Sequence, residues 1–216
     1  DHASLVVLRW YLVYRSLIRA MVAKMKAEQH KNEQELYQVA IRDCQEHIQL
    51  ASHFTLCESP TLYITHGPSG SGKTTASEVV VAQRGAIRLR SDVERKRHFG
   101  ISVDDHVNEK LRHKIYCESA NIATYNRLER LASGILQDGY SVVIDATFLR
   151  HSDRERFRRF AENEDVPFAI LDCHADAQTL RQRIADRIAL GDDASDADLD
   201  VLDLQLASQQ PLTAME

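Results

Sequence analysis

The sequence predicts an α/β domain of three layers with a parallel sheet, preceded by a helical hairpin. Three observations predict it. From residue 61 onward, short β-branched segments alternate with amphipathic helical stretches, the pattern of βαβ units. A single glycine-rich loop joins the first of those strands to a helix. Before Gly67 the chain has no glycine, and its apolar residues recur at helical spacing.

The hairpin comes first. Over 3–30, Leu5, Leu8, Tyr11 or Leu12, Tyr14 or Arg15, Ile18, Met21 or Val22, and Met25 align as one inner stripe. A second helix is expected over 32–53, with Leu36, Val39, Ile41, Cys44 and Ile48 partly aligned. Arg9 and Arg15 interrupt the first apolar run well before the ~20 uninterrupted apolar residues of a membrane span. No small-residue cleavage site follows that run, which argues against a signal peptide. The opening Asp leads us to expect a piece of a longer protein.

TLYITH (61–66) reads as a buried strand ending at the glycine loop. A helix follows from Gly72 to Arg84 and is closed by Gly85. AIRLR (86–90) is the second strand. One long helix over 105–137 is expected to turn Val107, Leu111, Ile115, Ile122, Leu128, Leu131 and Ile135 inward. YSVVID (140–145) and PFAILDC (167–173) are further strands. A helix over 176–190 carries Leu180, Ile184 and Ile188 on one side, with Arg183 and Arg187 beside them. Ser195 and Asp198 read as a capping box for a last helix, 196–208. The chain then ends at PLTAME, where a fifth strand would be expected.

Composition bounds the function. At 216 residues, 44% hydrophobic and 27% charged, the chain fits a globular domain of 59–216 with an appendage of 1–58. A net charge of −5 argues against a general nucleic-acid binder. Cys44, Cys57, Cys117 and Cys173 form no CxxC pair, so reduced cytoplasmic thiols are expected and neither zinc nor disulfides. The ten histidines show no metal spacing, and His106 and His113 read as helix-surface residues.

Gly67-x-x-x-x-Gly72-Lys73-Thr74 satisfies the P-loop pattern, set between strand and helix as that pattern requires. Gly67, Gly70 and Gly72 let successive N–H groups turn inward as a nest for anionic oxygens, and Ser69, Ser71 and Thr75 belong to the same loop. The helix N-terminus adds its positive dipole end. Lys73 can reach β- and γ-phosphates, and the Thr74 hydroxyl can sit on Mg²⁺. ATP with Mg²⁺ is the expected cofactor pair.

Strand AIRLR delivers RSDVERKRHFG to the sheet edge where ligands gather. Asp92 is placed there to take a proton from a substrate hydroxyl or to hold Mg²⁺ through water. Arg95, one turn on, is placed to bind an anionic part of the substrate. The plainer alternative has Ser91 or Asp92 capping a helix while Arg95, Lys96 and Arg97 form a solvated face. VVIDAT ends its strand on Asp145, a Walker B form that binds Mg²⁺, or else a cap for the next turn. HSDRERFRRF reads as a basic helix surface from which Arg150 or Arg154 could face substrate. Arg183 and Arg187, at i, i+4, can close over a transferring phosphoryl group as a lid spanning about 176–197. Alternatively they and Arg181 pair with Asp186, Asp192 or Asp193. The acidic run 192–200 lacks the glycine and terminal glutamate of a calcium loop.

Through GPSGSGKTT, RLRSDVERK, YSVVIDATF and LRQRIADR…DASDAD, residues 59 to about 210 resemble P-loop kinases of the small-molecule and polynucleotide kinase type. More narrowly, the chain resembles the predicted bacterial kinases in which such a domain follows an aminoglycoside-phosphotransferase-like domain. LRWYLVYRSLIRAMVAKMK is similar to that partner's closing helices. The resemblance implies a P-loop NTPase sheet of order 2-3-1-4-5, with the fifth strand missing or truncated here. It implies Lys73 and Thr74 as P-loop residues, Asp92 and Asp145 as the strand-end aspartates, and Arg183 or Arg187 as lid arginines. The expected activity is γ-phosphate transfer from ATP to a hydroxyl of a small substrate. A nucleotide-sensing module, a nucleic-acid 5′-end kinase and a toxin-like kinase acting on cell-wall precursors are the alternatives. The expected partners are a small substrate and an N-terminal domain, with no membrane.

Overall fold

A computed structural model of the protein describes residues 4–55, 59–102, 111, 114–190, 198–213 and 216. The expectations placed on Cys57, His106, Val107, His113, Asp192, Asp193 and Ser195, and on the side chain of Ile188, lie outside them. The chain divides into two compact units, Asp1–Glu58 and Ser59–Glu216. No described helix is long and apolar enough to cross a membrane.

The first unit is a hairpin of α1 (Leu5–Gln29) and α2 (Gln34–Thr55). Its seam differs from the predicted stripe. On α1 the buried residues among those described are Ser16, Ala20, Ala23 and Ala27, spaced 4, 3 and 4 apart, whereas Tyr11, Tyr14, Met21 and Met25 are exposed. On α2, Ile41 and Cys44 are half-buried and Ala51 is buried, while Leu36, Val39 and Ile48 are exposed. Small side chains let two helices approach closely, so the alanine row takes the seam. Periodicity alone could not choose between that row and the bulkier one beside it.

The second unit carries a parallel sheet of β1 (Leu62–His66), β2 (Ile87–Arg90), β3 (Val142–Asp145) and β4 (Phe168–Asp172). Its order is β2-β3-β1-β4, within the predicted 2-3-1-4-5. Leu62 pairs with Val142 on one side and Phe168 on the other, and Ile87 also registers with Val142. Val142, Val143 and Ile144 are fully buried, as the unbroken apolar run requires of a central parallel strand. Burying each such side chain contributes about 1.5–3 kcal/mol. Around the sheet lie α3 (Lys73–Arg84), α4 (Ser91–His98), α5 (Glu118–Gln137), α6 (His151–Asn163), α7 (Ala177–Leu190) and α8 (Leu199–Ser208). Gly85 ends α3 in the left-handed region at φ 59°.

Three expectations need correction here. The helix expected over 105–137 is broken at Tyr116–Cys117, and α5 starts only at Glu118. Arg95 Nη1 donates to the Ile115 carbonyl oxygen at 3.0 Å, giving that oxygen a partner outside the helical ladder. Ile122, expected inside, is exposed, and the inner row of α5 runs through Ala120, Thr124, Leu128 and Ala132. At the far end, Asp198 is itself the N-cap of α8, its Oδ1 accepting from the Val201 N–H at 2.9 Å, rather than the third residue of a capping box.

After α8 the described residues form no fifth strand. The Gln210 N–H donates to the Leu149 carbonyl at 2.9 Å, and the His151 N–H donates to Gln210 Oε1 at 2.6 Å. Arg154 fastens this segment. Only 1% exposed, it donates to the carbonyls of Phe148, Leu149, Gln210 and Pro211 and pairs with Glu216 at 2.6 Å. The basic surface expected of α6 is therefore corrected at Arg154, which is interior and faces no substrate.

Candidate active site

The loop after β1 is held by packing as well as by conformation. Gly67 has φ 138°, and a methyl group there would overlap the Cys173 carbonyl oxygen and come within 2.7 Å of Ser71 Oγ. Gly72, at φ 94°, is the N-cap of α3 and turns the chain so that the helix N-terminus faces the loop. Thr65 joins the loop to the neighbouring strand. Its hydroxyl donates to the Ala146 carbonyl at 2.6 Å and accepts from the Ala146 N–H at 3.1 Å. The end of β3, and with it Asp145, is thereby fixed against the loop.

At the start of α3, Lys73 Nζ donates to the Pro68 carbonyl at 2.6 Å and Thr74 Oγ1 donates to Asp145 Oδ2 at 3.1 Å. Burial pushes the Lys73 ammonium below the usual lysine range, opposed by the charges of Asp145 and Asp92. Burial likewise pushes the Asp145 carboxyl up, against Lys73 and the Thr74 hydrogen bond. Lysine, hydroxyl and carboxylate thus form one coupled group. Hydroxyl and carboxylate oxygens are the donor type that suits Mg²⁺, which takes only one or two protein carboxylates together with phosphate oxygens. Among the described residues no cluster of three metal-ligating side chains occurs, and such a site needs none. Ser71 Oγ is buried in the loop without a protein partner.

Opposite the loop, Arg90 is the N-cap of α4 and makes no side-chain cap bond, so Asp92 stands in the first helical turn. The alternative of a solvated charge run is corrected for Arg95 and Lys96, which are 6% and 2% exposed. Arg95 also donates to Asn121 Oδ1 at 2.8 Å and lies 4.8 Å over the Tyr116 ring, while its Nε has no partner. Glu94 is buried between Arg97 and Arg127, at 2.6 and 2.7 Å. In this wall, Tyr125 stacks on the buried Phe148 at 5.5 Å, and Phe148 holds a left-handed backbone at φ 44°. Such strain persists where surroundings over-determine it; here the Phe148 carbonyl is held by Arg154 Nη1 at 3.1 Å.

From the third side, Arg183 Nη1 donates to the Gly70 carbonyl at 2.9 Å, and Arg187 lines the same space. Arg181 does not join them, pairing with Asp203 at 2.6 Å; Asp186 accepts from Gln182. Every predicted site residue except Gly67 and Arg154 lines one cleft of about 1800 Å³, from Ser69–Thr75 across to Asp92, Arg95, Asp145, Arg183 and Arg187. Gly67 lies behind it. Arg150 lines it too.

Sequence reasoning missed several participants. Gln205 of α8 accepts the Ser69 N–H at 2.8 Å across 136 residues. His66 Nδ1 and His174 Nε2 share Asp172, at 2.7 and 2.6 Å, at the sheet edge beside the loop. Tyr116 and Tyr125 line the wall opposite. Only the strand-end positions of His66 and Asp172 gave any prior sign.

Residues 62–212 match the family model described as AAA domain. Uncharacterized proteins of Mycobacterium tuberculosis and Mycobacterium bovis are each 26% identical over 195 residues, 90% of this chain; the chain spans 38% of their length. Among solved structures, a kinase candidate from Chloroflexus aurantiacus is similar at 24% identity and TM-score 0.55, covering 74% of this chain and 85% of its own. A sugar kinase from Janibacter is similar at 18% identity and TM-score 0.52, over 74% and 82%. A chain of the Pnkp1/Rnl/Hen1 RNA repair complex reaches TM-score 0.55 at 16% identity, over 70% and 44%. At such identities the likeness is one of fold.

Proposed function

Because the chain belongs to this AAA domain family, a P-loop fold that binds nucleotide, we propose that it is an ATP-dependent kinase for a hydroxyl-bearing small molecule. The observation that carries this reading is the single cleft in which Lys73 and the Thr74–Asp145 pair face Asp92 and Arg95. A nucleotide-sensing module would need the first group and have no use for the second.

In the proposed reaction the loop amides from Ser69 to Thr75 and Lys73 hold the phosphates. Thr74 and Asp145 would hold Mg²⁺, which when bound would supply positive charge against the phosphate oxygens. Arg95 fixes the acceptor. Its oxygen bonds to the γ-phosphorus as the bond from that phosphorus to the bridging oxygen breaks, releasing ADP. Asp92 takes the hydroxyl proton. Arg183 and Arg187 neutralise charge on the transferring group and exclude water. Small acceptors are favoured over a nucleic-acid end because Asp92, Glu118 and Asp153 interrupt the guanidiniums of Arg95, Arg150 and Arg156 on the cleft wall.

The first unit fits a further interaction. Trp10 is 79% exposed and Val7, Tyr14 and Met25 are more than half exposed, a row suited to another domain of a longer protein such as the mycobacterial relatives.

ADP release is to be measured with a panel of hydroxyl compounds, wild type beside Asp92→Asn. The expected result is acceptor-dependent turnover reduced about 10²–10⁴-fold by the substitution, with nucleotide affinity retained. Turnover that no compound raises above the water background would refute the kinase reading.

A further inference from the structure

The hydrogen bond from Ser69 to Gln205 has no role in the reaction as proposed, and its position gives it one. Lys73 Nζ donates to the Pro68 carbonyl at 2.6 Å, so the lysine head lies at the Pro68–Ser69 end of the loop. A P-loop lysine reaches the β- and γ-phosphates. That end of the cradle therefore faces the terminal phosphate, while the opposite end, at the N-terminus of α3, takes the inner ones. At the outer end the Ser69 N–H, a donor suited to a phosphate oxygen, is given to Gln205 Oε1 at 2.8 Å.

Gln205 is carried by an element that also touches the lid arginine's helix. Leu202 of α8 packs with Leu180 and Ile184 of α7, and Arg181 pairs with Asp203 across the two helices. Arg183 of α7 holds the next loop residue through the Gly70 carbonyl. The α7–α8 pair therefore grips the loop at two adjacent residues, through one arginine and one glutamine.

We propose that Gln205 is a specificity-determining residue that separates nucleoside triphosphate from diphosphate: its side-chain oxygen occupies the Ser69 amide, a terminal phosphate displaces it, and a diphosphate leaves it in place. The inference rests on the nucleotide reading above. The exchange favours a triphosphate, because an amide bond to a charged phosphate oxygen is about twice as strong as one to a neutral carbonyl. Displacement frees one of the two side-chain hydrogen bonds by which, among the described residues, α7 and α8 hold the loop, so the lid registers which nucleotide has entered.

The test is calorimetry with Mg²⁺ on the whole chain, using ADP and the β,γ-imido analogue of ATP, for wild type, Gln205→Ala and Gln205→Glu. Removing a competing neutral hydrogen bond is expected to tighten the analogue about fivefold in Gln205→Ala and to leave ADP within about twofold. Gln205→Glu places a carboxylate against the incoming phosphate and is expected to weaken the analogue about tenfold or more, again sparing ADP. Equal shifts for both nucleotides, or none for either, overturn the assignment while leaving the kinase reading intact. So does weaker analogue binding by Gln205→Ala, which would make Gln205 a direct phosphate ligand. Failure of wild type to bind ADP removes the nucleotide reading itself, and this inference with it.

Discussion

Gly67→Ala tests whether the phosphate loop is shaped by contact as well as by backbone freedom. At φ 138° an alanine already incurs about 1–3 kcal/mol of backbone strain. Its methyl would also overlap the Cys173 carbonyl oxygen, and that oxygen cannot retreat easily, because the Cys173 N–H is bonded to the His66 carbonyl at 2.9 Å. Overpacking of this kind adds about 1–3 kcal/mol. The sum is about 2–6 kcal/mol, which for a domain of this size lowers the melting temperature by about 4–24 °C. If the loop shifts to relieve the overlap, the cradle shifts too, and Mg²⁺–ADP affinity should fall at least about 30-fold. Gly85→Ala is the control. It shares a left-handed backbone, φ 59°, but a methyl there meets nothing within 4 Å. It should cost only about 1–2 kcal/mol and leave nucleotide affinity unchanged. Thermal melts and calorimetry on both variants decide the matter. If Gly67→Ala behaves like Gly85→Ala in melting and in binding, the packing account of the loop is wrong.

Arg154→Ala should lower the melting temperature by about 6–20 °C, since breaking a buried ion pair costs about 3–5 kcal/mol; a fall under about 2 °C in a thermal scan would contradict its interior role. Adding Glu216→Ala should cost little more than Arg154→Ala alone, since the two side chains act as one pair, with His151 and Thr213 as the carboxylate's remaining partners. Arg154 holds the Glu216 carboxyl down at about 2, so this pair's contribution is complete above the ordinary glutamate pKa and is lost as pH falls through the window toward about 2. An acid titration of stability should lose that step in the Arg154→Ala variant. Asp145 carries the opposite sign. Its carboxyl titrates above its unfolded value, so its contribution is full below the ordinary aspartate pKa and fades as pH rises through the folded one. Mg²⁺ uses the ionised form, and the rise in melting temperature on adding Mg²⁺ with ADP should therefore grow as pH rises above the ordinary aspartate value and through the raised folded one. A rise independent of pH would show that Asp145 does not hold the metal.

The phosphate loop was legible because the pattern that identifies it is local, although distant residues also hold it. Eight consecutive residues, a strand before them and a helix after them, specify its conformation through glycine freedom and a helix dipole. The strands were legible because burial on both faces demands unbroken apolar runs. Asp145 could be placed because a strand has a definite end, and that end is the ligand edge of a parallel sheet.

What tertiary structure alone decided concerns charged and small residues. RKR in α4, in its plainer reading, and RERFRR in α6 read as solvated surface, yet Arg95 and Arg154 are interior. Many of their partners are backbone carbonyl oxygens, which every residue possesses and no pattern advertises, lying 20 and up to 57 positions away. The alanine seam of the hairpin and the break at Tyr116–Cys117 were hidden for a related reason. Each depends on how closely another segment approaches, a distance that no periodicity encodes. Sequence determined the kind of chemistry available at one sheet edge, because that chemistry is written in contiguous residues. The enclosure around it, from Gln205 on the loop to Arg95 on the opposite wall, arises only when segments far apart in the chain come within hydrogen-bonding range.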